Sequence, residues 1–270
     1  MMRDRVPDRL LRIAIERAGA PNGLWFTERQ LYYQACRVAL PVHRLPHRIT
    51  RTFPVPLRYE VFRRALERYG AVPGLLAPQP PRTGPAGRHT PEPDLFDYGL
   101  PRLLVCQSDS VAQMLRANAV PMESACPVVS AAELPLDPRM TAMLGRVERS
   151  AVYVLHDAGA EGHDFPARVA ELTDIPEGVR LVPLGLRANQ AARLHAFHRR
   201  GESRPVAAEL DPWERAWLAR GRFVEVEAVR PAALLRTVHR LVRDIRRPPR
   251  TVVGEWRRAR ESGFLTWPAA

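Results

Sequence analysis

The sequence predicts an α/β fold preceded by a small helical domain, on three observations. Beyond residue 93, apolar runs of strand length alternate with stretches of helical spacing, the pattern of a parallel sheet covered on both faces. Before residue 78, apolar positions recur at helical spacing amid an excess of arginine. Between these parts, residues 78–93 hold six prolines and two glycines, a composition that supports neither a helix nor a central strand and reads as a linker. The expected division is therefore 1–77, 78–93 and 94–270.

In the first part, Leu10, Leu11, Ile13, Ala14, Ile15 and Ala18 predict a helix over 4–18, closed between Gly19 and Gly23. Thr27 with Gln30 three residues on is a capping-box pair, opening a second helix to about residue 38. Prolines 41, 46, 54 and 56 divide the next stretch into turns or short extended pieces, and a third helix is expected over 57–69. Helix, helix, short extended pieces and helix with a basic balance fit a winged-helix-like DNA-binding domain. A small helical domain with a basic surface fits the same pattern.

In the second part, strands are expected at 103–106, 127–130, 152–155 and 179–186, and helices at 111–117, 139–147, 165–172 and 189–198. A short strand is expected over 222–229. The last helix, 231–247, places Leu234, Leu235, Val238, Leu241, Val242 and Ile245 on one face, with Arg236, Arg240, Arg243 and Arg247 as a stripe elsewhere. Such a stripe either solvates the helix or tracks phosphates or an acidic partner.

Composition sets the class. At 46% hydrophobic and 26% charged, a globular protein is expected rather than a disordered one. No apolar run approaches the roughly 20 residues of a membrane span, and the start at Met1 lacks the apolar core of a signal peptide. Cys36, Cys106 and Cys126 are scattered and odd in number, so neither a disulfide framework nor a zinc cluster is indicated. A cytoplasmic protein without a membrane partner is the expectation, nucleoid-associated if it binds DNA.

All 41 basic residues are arginine. Residues 1–72 hold 14 of them against 6 acids, a net of +8, and residues 230–260 hold 10 against 2, again +8. The middle, 73–229, is slightly acidic at 17 against 20. Two basic ends around such a middle point to a polyanion, with double-stranded DNA the leading partner.

The most informative run is Phe26-Thr27-Glu28-Arg29-Gln30-Leu31-Tyr32-Tyr33. It closely resembles the tyrosine motif of the topoisomerase VI A subunit and its relatives, the meiotic double-strand-break transesterases. The resemblance implies that Tyr33 is a nucleophile toward a backbone phosphate; with this helix docked on DNA, Arg29 is placed to hold the phosphoryl charge. It also implies dimerisation, which brings two tyrosines to opposite strands, and a separate ATPase subunit of the B type. Read without the resemblance, one tyrosine packs in the core and the other caps the surface or stacks on sugar and phosphate.

A second resemblance lies at two strand ends. His156-Asp157-Ala158-Gly159-Ala160-Glu161-Gly162 resembles the Asp-x-Asp-x-x-Gly motif of the Toprim domain, and Cys106-Gln107-Ser108-Asp109 occupies the place of the Toprim strand that ends in glutamate. Asp157 matches the first aspartate and Gly162 the glycine. Gly159 stands at the second aspartate, and Cys106 or Gln107 at the glutamate. Magnesium prefers several converging carboxylates, and one acid of three remains, so no cofactor is expected. Magnesium enters only if a rearranged set from Asp109, Asp157, Glu161 and Asp164 holds it. Against that, Asp109 reads as a helix N-cap, and Glu161 and Asp164 as acids favouring the first turn of the next helix.

Finally, Arg222-Phe223-Val224-Glu225-Val226-Glu227-Ala228-Val229 resembles the segment that follows the Toprim core in topoisomerase VI A subunits. Glu225 and Glu227 read as structural, pairing with nearby arginines. His195 and His198, and His43 and His47, have metal-like spacings but read as incidental.

Three functions are expected from these readings. The first is a DNA-binding relative of the topoisomerase VI A subunit with magnesium-dependent cleavage lost or much weakened, its DNA contacts assigned to Arg29, Arg37, Arg236, Arg240, Arg243 and Arg247. The second is an active transesterase using Tyr33 with a rearranged metal site. The third is a protein-interaction adaptor.

Overall fold

A computed structural model describes residues 6–42, 46, 50–78, 98–203 and 210–243. Helix α1, Asp8–Gly19, buries Leu11, Ala14 and Ala18 at helical spacing. Helix α2, Glu28–Ala39, opens on the expected capping box: Gln30 N–H donates to Thr27 Oγ1 at 3.1 Å, and Thr27 N–H to Gln30 Oε1 at 3.0 Å. Every residue from Gln30 to Arg37 is buried, so α2 is enclosed on all sides. A two-residue strand β1, Phe53–Pro54, precedes helix α3, Tyr59–Tyr69, which buries Phe62, Ala65 and Leu66.

The α/β expectation holds. Strands β2 (Arg102–Cys106), β3 (Val128–Ser130), β4 (Ala151–Leu155) and β5 (Arg180–Gly185) form a four-stranded parallel sheet in the order β3-β2-β4-β5. Around it stand α4 (Asp109–Ala117), α5 (Val120–Ser124), α6 (Pro138–Gly145), α7 (Ala160–Leu172), α8 (Ala188–Arg193), α9 (Pro212–Leu218) and α10 (Pro231–Val242). Alternate strand residues serve opposite faces. Leu103, Val105, Val152 and Val154 pack with Met140, Leu144, Phe165 and Val169 of α6 and α7. Leu104, Cys106, Tyr153 and Leu155 belong to the other cluster, which also contains Leu11, Tyr32, Tyr33 and Phe62. The N-terminal helices and the sheet thus share one apolar core across the linker. Each fully buried valine, leucine or phenylalanine there contributes about 1.5–3 kcal/mol.

Several boundaries differ from expectation, each for a local reason. Helix α7 starts at Ala160 rather than near 165, because Gly162 lets its first turn lie against the end of β4. Helix α8 stops at Arg193, and a strand β6, Phe197–Arg200, replaces its expected last turn. His195 adopts a positive φ of 50°, which turns the chain so that Phe197 pairs in parallel with Phe53 of β1. The 222–229 segment is a two-residue strand β7, Arg222–Phe223, followed by a 3-10 turn at Val226–Ala228. Strand β7 pairs antiparallel with β6, so β1 completes a sheet with distant strands; among the described residues it forms no local wing hairpin. Helix α10 is described to Val242; Arg247, His43, His47 and most of the linker lie outside the described residues.

The sheet order locates a crevice. The chain leaves β2 for β3 at one edge, and later leaves β4 for β5 at the other. Strands β2 and β4 are neighbours at this reversal, and in open α/β sheets ligands gather at the carboxyl ends of such a pair. Gln107 follows β2 and Asp157 follows β4 by two residues.

Candidate functional site

Three consecutive residues, Glu225, Val226 and Glu227, tie the tyrosine helix to both strand ends. An isolated antiparallel bridge holds them there: Ala158 N–H donates to Val224 O at 2.9 Å and Val224 N–H to Ala158 O at 2.8 Å. Tyr33 is fully buried, and its hydroxyl donates to Glu225 Oε2 at 2.9 Å. Val226 N–H donates to Asp157 Oδ1 at 2.7 Å. Ser110 Oγ donates to Glu227 Oε1 at 2.7 Å and Ser108 Oγ at 3.2 Å.

Glu225 also gathers arginines. Arg199 Nη1 lies 2.8 Å from its Oε1, and Arg29 Nη1 3.8 Å away. Arg29 further lays its guanidinium over the Tyr59 ring, 4.1 Å from the centroid. The expected pairing of Glu225 with arginine is therefore present. Glu227 differs: its partners are the serine hydroxyls of the β2–α4 turn.

The tyrosine pair departs from the expected one-in, one-out arrangement. Tyr32 is as buried as Tyr33, and its hydroxyl donates to Leu57 O at 2.7 Å. Tyr32 meets Tyr59 and Phe62 edge-on at 5.2 and 5.5 Å. Both phenols are inside because α2 is a central helix, leaving no solvent face at positions 32 and 33. Burial pushes the Tyr33 phenol well above its ordinary value, the Glu225 charge and hydrogen bond push it further, and Arg199 opposes them. In this arrangement the phenol is held as a hydrogen-bond donor. Tyr33→Phe leaves a largely enclosed carboxylate one donor short while keeping the ring, and is expected to destabilise the fold by about 1–3 kcal/mol in a urea titration. A loss below roughly 0.5 kcal/mol would contradict the hydrogen bond's place in the core.

At the sheet end, Asp157 N–H donates to Gln107 Oε1 at 2.9 Å. Gln107 thus uses its acceptor oxygen on the backbone beside the aspartate. Burial pushes the Asp157 carboxyl up to about 8, the charges of Glu227, Glu225 and Glu161 add to this, and the Val226 hydrogen bond opposes them. Glu227, fully enclosed, is also raised by burial first, with its serine donors pulling the other way. A cavity of about 400 Å³ opens beside Asp157, lined also by Gln107, Glu161, Gly162, Arg222 and Phe223. Neither Tyr33 nor Arg29 is among its described lining residues.

The other predicted residues take varied places. Ser108, not Asp109, caps α4, accepting from Val111 N–H at 3.5 Å. The serine hydroxyl precedes the helix, whereas Asp109 is its first residue. Asp109 Oδ1 is enclosed without a hydrogen-bond partner among the described residues. Glu161 is exposed in the first turn of α7, the placement expected of an acid near a helix N-terminus. Arg37, assigned to DNA, is buried instead: it donates through Nη1 to Gln34 Oε1 at 2.9 Å and through Nη2 to Ala228 O. It clamps α2 to the 3-10 turn, so its fork is engaged by the protein itself. Arg236 and Arg243 are exposed on α10 and Arg240 is half-buried, with no carboxylate partner among the described residues. His198 shares a buried contact with Thr52 Oγ1 at 2.9 Å.

These donors do not fit magnesium. Asp157 gives one oxygen to Val226 N–H, Gln107 replaces an acid, and Glu227 is engaged by serines. Among the described residues no three of His, Cys, Asp and Glu are grouped as a metal ion requires. No helix of the described residues is long and apolar enough to cross a membrane.

Comparison of the chain with protein-family models, with curated proteins and with solved structures gives no match.

Arg199 is the site residue that sequence reasoning missed. Its only signal is its place at the end of β6, a strand read as helix; once β6 pairs with β7, Arg199 stands opposite Phe223 and reaches Glu225.

Proposed function

We propose that the chain is a DNA-binding protein related to the topoisomerase VI A subunit, in which magnesium-dependent strand cleavage is lost or much weakened. One observation carries the second half of this reading: the Tyr33 hydroxyl is spent on Glu225 in the core, while the adjoining Val226 takes the aspartate that would otherwise face a metal. Attack on a phosphodiester needs an ionisable nucleophile and stabilisation of the phosphoryl oxygens. The phenol is raised by burial and by a neighbouring carboxylate, and Arg29, the assigned phosphate clamp, faces Glu225 and Tyr59.

The DNA half rests on charge. Arg236, Arg240 and Arg243 lie along α10 with no acid between them, and the first 72 residues carry a net +8. Affinity for duplex DNA is expected to fall linearly with the logarithm of salt concentration, and replacing these three arginines by alanine is expected to reduce that slope by about 2–3. Fluorescence anisotropy with a labelled duplex measures both. Affinity independent of salt would remove the DNA reading and leave the adaptor.

One observation favours the active transesterase as a second reading. The Tyr33 hydroxyl already donates to a carboxylate, with Arg199 and Arg29 beside it, so Glu225 is a ready acceptor for the phenol proton. Supercoiled plasmid incubated with protein and magnesium, then denatured and proteolysed, separates the two. Intact plasmid supports the first reading; protein-linked breaks that disappear in Tyr33→Phe support the second.

A further inference from the structure

On another face of the molecule, four arginines from three segments border one pocket of about 450 Å³ between α1, α2 and the start of α10. They are Arg17 in the last turn of α1, Arg37 on α2, Arg230 immediately before α10, and Arg236 one to two turns along it. The remaining lining is Gln34, alanines and Pro21, with no acid among the described lining residues. Its volume falls in the range of small-ligand pockets, roughly 300–1,000 Å³.

The floor is built and the rim is free. Arg37 is buried and fixed by Gln34 Oε1 and Ala228 O; Gln34 in turn donates Nε2 to Arg17 O at 3.2 Å. These contacts lock the base of the pocket without neutralising it. Arg17, Arg230 and Arg236 are exposed and have no ion pair among the described residues. Helix α10 has 12 residues, and its first turn contributes Ala232 and Ala233 to the lining. Its N-terminal dipole adds positive potential where no side chain caps it. The charges also feel one another: burial first, and then the charge of Arg230, lower the Arg37 guanidinium to about 10. Solvated arginines normally spread apart; here four of them border one concavity, and the deepest, Arg37, is fixed by the protein.

We propose that this pocket is an anion site for a compact ligand carrying two or more phosphate groups. One phosphate matches a single guanidinium fork, whereas the three exposed forks of Arg17, Arg230 and Arg236, above the buried charge of Arg37, match a chain of phosphates. Phosphates of that kind come either as a free oligophosphate or as part of a nucleic acid, and the experiment distinguishes these sources.

The test titrates inorganic tripolyphosphate into the full-length protein by calorimetry at a constant ionic strength of about 0.15 M. Saturable one-to-one binding is expected, weakened at least about tenfold in the double variant Arg17→Gln/Arg230→Gln. Both side chains are exposed, and circular dichroism with a thermal melt checks the fold. Ala233→Glu, which places a carboxylate in the pocket, is expected to have the same effect on a different structural footing. Duplex DNA that displaces tripolyphosphate assigns the phosphates to nucleic acid; tripolyphosphate and duplex bound together assign them to a free oligophosphate. Only Arg236 is shared with the Arg236, Arg240 and Arg243 stripe of the proposed function, so Arg17→Gln/Arg230→Gln tests the pocket while leaving that stripe intact. No saturable binding up to about 1 mM, or binding unchanged in both variants, overturns the proposal.

Discussion

Replacing Gly162 by alanine is expected to cost about 3 kcal/mol or more, a large part of the margin that keeps a domain folded. A Cβ at this position would lie 1.9 Å from the Asp157 carbonyl oxygen, 2.8 Å from its carbon and 3.1 Å from its nitrogen. All three atoms are backbone, so no rotamer relieves the overlap. Either α7 lifts from the end of β4, or the Asp157 backbone moves, breaking its N–H bond to Gln107 and drawing its carboxylate off the Val226 N–H. Overpacking commonly costs about 1–3 kcal/mol where side chains can shift, and here none can. Against a total stability of roughly 5–15 kcal/mol, that loss is large. Gly145→Ala is the control, because its Cβ meets only Pro176 at 3.4 Å. Urea titrations of both variants are expected to separate widely; a Gly162→Ala midpoint equal to that of Gly145→Ala would contradict the close approach of α7.

The second large effect is a fall in stability as pH rises. The Asp157 carboxyl stands at about 8 in the folded protein, raised by burial and then by Glu227, whereas in the unfolded chain it lies near 3.9. Between these values the folded state holds a proton that the unfolded chain has released. Its stabilising contribution is complete below about pH 4 and declines as pH rises toward about 8. Glu227 is raised in the same direction, and the two carboxyls titrate as a pair. From pH 5 to pH 9 the melting temperature is expected to drop by about 5–10 °C. Asp157→Asn keeps an oxygen for the Val226 N–H and removes the ionisation. That variant is expected to melt close to the parent at pH 5 and above it at pH 9. Parallel melting curves for the two proteins across this range would mean that Asp157 is ionised throughout.

Both effects involve residues that were only partly legible in the sequence. The Thr27–Gln30 capping box was readable because it is local: two side chains and two N–H groups within four residues decide it. The strand runs at 103–106 and 152–155 were readable because both faces of a parallel strand are buried, which makes them uniformly apolar. Strand β6 was not, since Phe197–Arg200 follows a helical pattern, and its pairing with Phe53 spans 144 positions that no local periodicity encodes. Asp157 and Gly162 could be marked as a site from the motif, and Tyr33 from its resemblance. That Tyr33 meets Glu225 across 192 positions depends on the Ala158–Val224 bridge, a tertiary contact without a sequence signature. Arg37 misled for the opposite reason: its charge suggested a surface, while a long side chain with five donors can also satisfy backbone carbonyls in the core.

At the centre of the site, the acids at 157, 225 and 227 are engaged by the protein's own donors. Calorimetric titration of the full-length protein with manganese at neutral pH tests this most directly, since manganese takes the same oxygen ligands as magnesium. No saturable heat is expected up to about 1 mM, in the parent and in Asp157→Asn alike. One-to-one uptake with a dissociation constant near a micromolar, abolished by Asp157→Asn, would contradict it.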